Sequence, residues 1–414
     1  MRILLCGAGL KGNLGAPAMY DSIIDELKKH IPNLEVTILS KYPNDDRIEC
    51  DYRGYRMISY PTIKQVTAGG IFFVVGGLLK LLHIPCRWMV RKGGALNEYF
   101  ANDILVDASG ISFTDDRSFI NILINTLWFL PGIISGIPMV KVSQSMGPYN
   151  KWYVKLLARL VLKKLDFMVC RGNKSYEYTK EFLGSKNIFD LPDTAFCLKM
   201  VENEDADDLL RKYNLKAEEY IAVGPSYVMR DHFDNGVYSD IVALTLNNLS
   251  KKTGMKILLV PHSWLHNVQI GADTVNDDLA VCREIAKKLS HDNGCEIVEE
   301  EMSARHMKAL IGRSYMAIGS RYHFLIAALS SGVASMALGW SHKYREVFQE
   351  FNIEEYVLEY QDMNAQNVST MAEKLYENRE SVKDKIHKNL DSVMMRSAKN
   401  EQLIADLLKK RGII

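Results

Sequence analysis

Short β-type runs alternate with helical patterns along the first half of the sequence. The runs are "RILLCGA", "LEVTILS", "DILVDAS", "MVKVSQS", "DFMVCRG" and "NIFDLPD", and helical patterns such as 17–30 and 152–164 lie between them. Strands that alternate with helices form βαβ units, in which successive strands run parallel and helices cover the sheet. The alternation therefore predicts a mostly parallel α/β sheet in the first half.

The second half repeats the alternation after an acidic, polar stretch, "MVENEDADDLLRKYNLKAEE". New β-type runs follow, among them "YIAVGPS", "KILLVPHS", "YMAIGS" and "ASMALG". A chain of 414 residues is also longer than one ordinary domain. We therefore predict two Rossmann-like α/β domains facing a cleft, a glycosyltransferase-B-like architecture. The predicted limits are 1–199 for the N-terminal domain, 200–218 for a linker, 219–363 for the C-terminal domain and 364–414 for a helical tail.

Composition excludes several classes of protein. A formal net charge of +1 provides no whole-protein attraction for nucleic acid. The seven cysteines are scattered without a CxxC pair, so they predict neither a zinc site nor a disulfide framework. We expect no metal and no cofactor. The N-terminus reads as a strand and a glycine loop rather than a signal peptide, which predicts a cytoplasmic location.

Two apolar stretches bear on membrane contact. Residues 69–84 are followed by Arg87, Arg91 and Lys92, a pattern typical of a helix on an anionic membrane surface or of a helix buried in a core. Residues 118–140 carry no charge, but asparagines, prolines and glycines divide them into a helix, a turn and the start of a strand. The first stretch predicts peripheral membrane contact, with a core helix as the alternative, and the second predicts no membrane span.

A pair of basic residues at the start of a predicted helix gives the strongest functional signal. In "SRYHFLIAALSSG", Arg321 and His323 follow a short strand, where the helix dipole already places about half a positive charge. Two basic groups there are unfavourable unless an anion lies among them, so we expect an anionic ligand, with a solvated helix start as the alternative. Further on, "GWSHKYREVF" adds Lys343 beside the next strand end.

Other strand ends carry small, polar or charged residues of the kind that contact ligands. In folds of this class, ligands bind at the carboxyl ends of the parallel strands. The candidates are Asn13 and Gly15 in "GNLG", Ser109 and Gly110 in "DASG", Ser145 in "SQSMGP", Arg171 in "CRGNKS", Asp193 in "PDTAF" and His262 in "VPHS". The structural alternatives are a tight turn for the glycine and serine segments, a solvent-exposed position for Arg171, a turn-capping role for Asp193 and a packed side chain for His262.

In their order and spacing, these segments resemble the polysaccharide pyruvyl transferase family. The resemblance spans roughly residues 1–350 and includes "GNLG", "ASG", "SQSMGP", "CRGNKS", "PDTAF", "VPHS", "SRYH", "ALSSG" and the lysine of "GWSHKY". It implies transfer of a pyruvyl group from phosphoenolpyruvate to two hydroxyls of a sugar residue, with formation of a cyclic ketal and release of phosphate. One departure is Ala16, which stands where the family usually has an acidic residue, so the substrate can differ.

The resemblance also implies roles for the candidates. Phosphoenolpyruvate carries a carboxylate and a phosphate, which suit Arg171 and Arg321 as bidentate contacts, with Lys343 beside them. His323 is the predicted proton-transfer residue, and His262 is the second candidate. The predicted acceptor contacts are Asn13, Gly15, Ser109, Gly110, Ser145 and Asp193.

The predicted partners are phosphoenolpyruvate and a saccharide acceptor, which a lipid could carry at the inner face of the cell membrane. Two other functions stay open at this point. A glycosyltransferase of the same fold would use the basic residues to hold a nucleotide sugar. A catalytically silent member of the family would bind a saccharide or a membrane partner, and Ala16 permits this alternative.

Overall fold

The computed structural model describes residues 1–40, 42–59, 75–76, 78, 95–184, 187–233, 236–264, 277–290 and 294–414. It divides the chain into two compact units. The first unit comprises Met1–Lys11, Met19–Thr194 and Arg396–Ile414, and the second comprises Gly12–Ala18 and Ala195–Met395. The short segment Gly12–Ala18 therefore leaves the first unit and belongs to the second.

Within the described residues, the first unit contains a seven-stranded parallel sheet. Its strands are β1 (Arg2–Cys6), β2 (Glu35–Ser40), β3 (Arg56–Ser59), β4 (Ile104–Asp107), β5 (Met139–Gln144), β6 (Phe167–Cys170) and β7 (Ile188–Asp190). Their order is β3-β2-β1-β4-β5-β6-β7, with Leu5 of β1 opposite Val106 of β4. The order reverses between β1 and β4, and ligands of doubly wound sheets bind at such a switch point.

Helices cover both faces of this first sheet. They are α1 (Gly15–His30), which starts in the segment assigned to the second unit, α2 (Pro43–Arg53), α3 (Ala95–Phe100), α4 (Phe119–Ser135), α5 (Trp152–Leu162) and α6 (Asn173–Leu183). Leu4 and Leu105 belong to one core cluster, whereas Ile3 and Val106 belong to another. Side chains that alternate between two buried faces explain why these strands read as nearly continuous apolar runs.

The second unit is built around a six-stranded parallel sheet in the part of the chain that the structure describes. Its strands are β8 (Tyr220–Gly224), β9 (Lys256–Leu259), β10 (Cys295–Ile297), β11 (Met316–Gly319), β12 (Ser335–Gly339) and β13 (Val357–Glu359), in the order β10-β9-β8-β11-β12-β13. The switch point lies between β8 and β11. Its helices are α7 (Asn203–Lys212), α8 (Tyr227–Arg230), α9 (Val237–Thr253), α10 (Asp278–Ala286), α11 (Ala304–Gly312), α12 (Tyr322–Leu329), α13 (His342–Gln349), α14 (Ala365–Glu377) and the start of α15 (Arg379–Lys410).

The two units differ in extent from the predicted domains. The predicted linker 200–218 contains α7, which buries Ala206 and Leu210 in the second unit, so its acidic residues form the solvated face of a helix. In the predicted tail, α14 packs against α9 of the second unit. The last part of α15 belongs to the first unit, where Ile404 and Leu408 join the core of the sheet.

The apolar stretch 118–140 folds as its sequence predicts. Ser118 caps α4, the helix continues through Pro131, and Gly136 ends it in the left-handed conformation before β5 begins. Among the described residues, no helix is long and apolar enough to cross a membrane. The predicted membrane-contact region 69–92 lies almost entirely outside the described residues.

Candidate active site

Arg321 lies at the end of β11, where it is the N-cap residue of α12. Its guanidinium forms a bidentate ion pair with Asp278, with Nε 2.7 Å from Oδ2 and Nη2 2.5 Å from Oδ1. Asp278 is fully buried at the start of α10. The protein itself therefore supplies an anion beside the basic helix start, so the sequence argument no longer requires a ligand, and donor binding by Arg321 stays a prediction.

The Asp278 carboxylate also accepts two backbone hydrogen bonds. The N–H of Tyr227 donates to Oδ1 at 2.8 Å, and the N–H of His262 donates to Oδ2 at 3.2 Å. One buried carboxylate thus joins the starts of α8 and α12 to the loop that follows β9. The sequence does not identify this partner, because 43 positions separate Asp278 from Arg321.

The glycine loop predicted to contact the acceptor pairs with the loop after β9. The N–H of Trp264 donates to the Gly12 carbonyl at 2.7 Å, and the N–H of Leu14 donates to the His262 carbonyl at 3.1 Å. Asn13 and Ser263 form an antiparallel bridge between these two hydrogen bonds. The motifs "GNLG" and "VPHS" therefore meet in the second unit, although about 250 residues separate them in the sequence.

Gly15 brings the start of α1 against His323. The Asn13 side chain accepts a hydrogen bond from the Gly15 N–H at 3.0 Å, which satisfies one backbone donor at the start of the helix. A Cβ atom placed on Gly15 would lie 2.2 Å from Nδ1 of His323, a distance at which one of the two groups must move. The absence of a side chain at Gly15 thus makes room for the imidazole of His323.

Replacing Gly15 with alanine is therefore expected to displace the His323 ring. A misplacement of about 1 Å in a reacting group can lower the rate about 10²-fold, and we expect a loss of turnover of that order. Steady-state kinetics measure the loss, and Ala365→Ser, an equally small change at the first residue of α14, serves as the control. Turnover of Gly15→Ala equal to that of the control would show that His323 needs no such room.

His262 follows β9 and is a buried, neutral imidazole. Its side chain is packed edge-on against Phe324, with ring centroids 6.2 Å apart, and its Nδ1 has no hydrogen-bond partner among the described residues. Burial lowers the pKa of His262 well below its ordinary value of 6.5, and the nearby positive charge of His323 and of Arg321 lowers it further. At neutral pH, the imidazole of His262 is therefore uncharged in the folded protein.

This depressed pKa predicts a pH dependence of stability. As the pH falls through 6.5, the unfolded chain binds a proton at His262 and the folded protein does not, so stability is lost. Between about pH 7.5 and pH 5.5, this histidine alone should remove roughly 1 kcal/mol from the free energy of unfolding. Denaturant titration of wild type and His262→Gln at both pH values measures the difference. The control His30→Gln changes an exposed residue and should lose as much stability between the two pH values as the wild type. If His262→Gln also loses as much as the wild type, the lowered pKa of His262 is contradicted.

Lys343 lies in the first turn of α13, after β12, with 8% of its surface exposed. Its ammonium nitrogen is 4.1 Å from the ring centre of Trp340 and 5.4 Å from that of Tyr344, so aromatic faces stabilise its charge. The neighbouring basic residues face carboxylates: His342 is paired with Glu346, and Arg345 with Glu359. The basic segment is therefore partly neutralised, and Lys343 stays a predicted donor contact.

In the first unit, Arg171 and Asp193 form a buried ion pair at the ends of β6 and β7. The sequence analysis assigned Arg171 to the donor and Asp193 to the acceptor, whereas the structure pairs them directly. Gly110 has a φ of +71°, and a Cβ atom there would lie 3.5 Å from Nη2 of Arg171. Gly110 thus belongs to the same cluster as this ion pair.

The remaining predicted residues of the first unit contact their own strand ends. The N–H of Ser109 donates to the Asp107 carboxylate at 2.8 Å, and the Ser109 hydroxyl also bonds to it. The Ser145 hydroxyl lies 3.4 Å from that of Ser175, and the Ser145 N–H donates to the Gly110 carbonyl at 2.8 Å. Ser109, Gly110 and Ser145 therefore lie together at the carboxyl ends of β4 and β5.

Lys141 is a buried cation that the sequence analysis missed. It lies within β5 with no exposed surface, pairs with Asp107 and donates to the Ser112 hydroxyl at 3.1 Å. Its nitrogen is 5.0 Å from the ring centre of Phe113 and 4.9 Å from that of Phe129. The sequence signal for this residue is a lysine within a strand whose two faces are both buried. A buried cation needs a buried anion as its partner.

Among the described residues, no group of three or more histidine, cysteine, aspartate or glutamate side chains could hold a metal ion.

A family model described as polysaccharide pyruvyl transferase matches residues 13–342 of the chain. The chain belongs to the polysaccharide pyruvyl transferase family. This match confirms the resemblance inferred from the motifs, and membership makes the protein a transferase with a role in polysaccharide modification.

Several known proteins are similar to this chain over 99% or more of its length. The amylovoran biosynthesis protein AmsJ of Erwinia amylovora is 20% identical over 436 positions, which cover 100% of both chains. The UDP-GlcNAc 2-epimerase of Neisseria meningitidis aligns with a TM-score of 0.61 and 14% identity, covering 99% of this chain and 100% of its own. MnaA of S. aureus aligns with a TM-score of 0.62 and 13% identity, covering 100% of this chain and 98% of its own. These structures confirm the predicted glycosyltransferase-B-like fold of two parallel-sheet domains.

Proposed function

We propose that the protein transfers the pyruvyl group of phosphoenolpyruvate to two hydroxyls of one sugar residue in a polysaccharide or glycan precursor. The observation that carries the proposal is the association of His262 and His323 with the segment Gly12–Ala18 in the second unit, where Asp278 links Arg321 to His262. All three side chains fall within the residues that match the family. The name of AmsJ, an amylovoran biosynthesis protein, supports a polysaccharide acceptor.

The reaction requires proton transfers but no oxidant or reductant. The first hydroxyl adds to the central carbon of the donor while the methylene carbon takes up a proton and becomes a methyl group. The C–O bond to phosphate then breaks, and the second hydroxyl attacks the same carbon and closes the ketal. Of the two protons released by the hydroxyls, one balances the proton now on the methyl group and the other leaves with phosphate or solvent.

The side chains of the second unit suit these steps. His323 is the proposed acid that protonates the methylene carbon and then the base toward a sugar hydroxyl, and His262 is the second candidate for this role. Arg321, oriented by Asp278, and Lys343 are the proposed contacts to the carboxylate and phosphate of the donor. Arg171 is the proposed donor contact of the first unit. Asn13, Gly15, Ser109, Gly110, Ser145 and Asp193 remain the proposed acceptor contacts.

Release of phosphate that depends on a saccharide tests this function. The protein is incubated with phosphoenolpyruvate and a panel of glycans, and free phosphate is measured against reactions that lack either substrate. We expect phosphate only when both are present. Consumption of a UDP-sugar with release of UDP would instead support a glycosyltransferase, and absence of turnover with binding of glycan would support a silent saccharide-binding protein.

A further inference from the structure

Large apolar side chains are exposed along one face of α5 and at the start of α4. On α5, Trp152, Leu156 and Leu160 are 72%, 62% and 40% exposed, and their spacing of four residues places them on one face of the helix. At the start of α4, Phe119 and Ile120 are 46% and 66% exposed. Monomeric proteins rarely expose such a set of large apolar groups without a partner.

These side chains form one continuous surface. The Phe119 ring lies 6.5 Å from that of Trp152 and 5.6 Å from that of Tyr153, which joins the start of α4 to α5. The opposite face of α5 is buried, since Val154, Ala158 and the last two residues of the helix pack into the core of the unit. The exposed face is therefore not a second core surface of the same unit.

Basic residues surround the apolar side chains. Residues 151–164 contain five lysines and arginines and no acidic residue, and the five are exposed: Lys151, Lys155, Arg159, Lys163 and Lys164. The nearby Asp115 carboxylate accepts hydrogen bonds from the backbone N–H groups of Asn150 and Lys151, the two residues before α5, at 2.9 and 3.0 Å. We call the five apolar and five basic residues together the apolar–basic patch.

We propose that the apolar–basic patch docks on an anionic lipid bilayer. An amphipathic helix with tryptophan and leucine on one face and lysine and arginine beside them is typical of helices that lie in a membrane interface. Protein interfaces, in contrast, are depleted of lysine, and four of the five basic residues are lysines. Charge complementarity with anionic headgroups therefore favours a membrane over a protein partner.

The proposed surface differs from the region 69–92 that the sequence singled out for membrane contact. Docking through α5 would hold the first unit, which carries the proposed acceptor contacts Ser109 and Ser145, at the membrane surface. A saccharide acceptor carried by a lipid would be concentrated there. This link to the acceptor rests on the proposed function, whereas docking itself does not.

Vesicle sedimentation of the full chain, without any substrate, tests the docking. We expect the protein to sediment with vesicles that contain phosphatidylglycerol and to bind pure phosphatidylcholine at least about tenfold more weakly. The double changes Leu156→Gln with Leu160→Gln, and Lys155→Glu with Arg159→Glu, should each reduce the partition coefficient by about tenfold or more. Blue-shifted tryptophan emission on binding, lost in Trp152→Ser, gives a second measurement.

Matched control variants carry equivalent changes in the second unit. Val237 and Leu244 are 43% and 47% exposed, and Val237→Gln with Leu244→Gln should leave binding unchanged, as should Lys251→Glu with Lys287→Glu, changes at two exposed lysines. Failure of the wild type to sediment with anionic vesicles, or equal binding by patch and control variants, would overturn the proposal. A concentration-dependent dimer in sedimentation velocity, abolished by the leucine variant, would also overturn it by making the patch a contact between two copies of the chain. The phosphate-release assay is independent of all these outcomes.

Discussion

Replacing His323 with glutamine is expected to lower turnover by about 10² to 10⁴-fold, the usual contribution of a positioned proton-transfer group. Glutamine keeps the approximate size and part of the hydrogen bonding of the imidazole, but it cannot transfer a proton at neutral pH. Since the donor contacts remain, affinity for phosphoenolpyruvate should change much less. Phosphate-release kinetics and calorimetric titration with phosphoenolpyruvate measure the two quantities separately.

His30→Gln is the control for this variant, because His30 is exposed at the far end of α1. It should have the turnover and donor affinity of the wild type. Near-normal turnover of His323→Gln would reduce His323 to a binding residue, and His262 would become the leading candidate for proton transfer.

Replacing Asp278 with asparagine is expected to destabilise the protein by about 3 to 5 kcal/mol, the usual cost of removing one partner from a buried ion pair. The change leaves the charge of Arg321 without its carboxylate in a side chain that is only 14% exposed. It also weakens the hydrogen bonds that the backbone N–H groups of Tyr227 and His262 donate to this side chain. Denaturant titration followed by circular dichroism measures the loss.

The adjacent residue provides a matched control. Asp277 is the N-cap of α10 and accepts a hydrogen bond from the Leu279 N–H at 3.0 Å. Asparagine caps helices about as well as aspartate, so Asp277→Asn should cost no more than a few tenths of a kcal/mol. Equal losses in the two variants would show that charge at Asp278 contributes nothing to the stability of the second unit.

The architecture was predictable because strands in a parallel sheet are buried on both faces. Runs such as "ILLC" and "YIAVG" are apolar throughout, and turn residues separate them clearly from the helices. The strands β3 and β13 were missed because they are short edge strands, and Arg56 and Glu359 make their sequences resemble loops. The segment Gly12–Ala18 was not separable from the first unit, since its partners after β9 are distant in the sequence.

The sequence could predict which strand ends carry the candidate residues, but not which of their side chains form ion pairs. The pattern of a basic helix start after a short strand located Arg321 and His323, and the structure places them after β11, next to β8. It could not show that Asp278 neutralises Arg321, or that Asp193 is paired with Arg171, because ion pairs between distant segments depend on tertiary packing. For the same reason, the basic helix start predicted only an anionic ligand, whereas Asp278 also places a carboxylate beside Arg321.

Mass spectrometry of the glycan shows whether a pyruvyl group moves from phosphoenolpyruvate to a sugar. Candidate glycans are incubated with the protein and either ordinary or uniformly ¹³C-labelled phosphoenolpyruvate, then digested and analysed. We expect one glycan to gain the mass of a pyruvyl ketal, and the labelled donor should raise this gain by its three labelled carbons. A glycan that releases phosphate from the donor but gains no label, or one that gains a hexose from a nucleotide sugar instead, would contradict pyruvyl transfer.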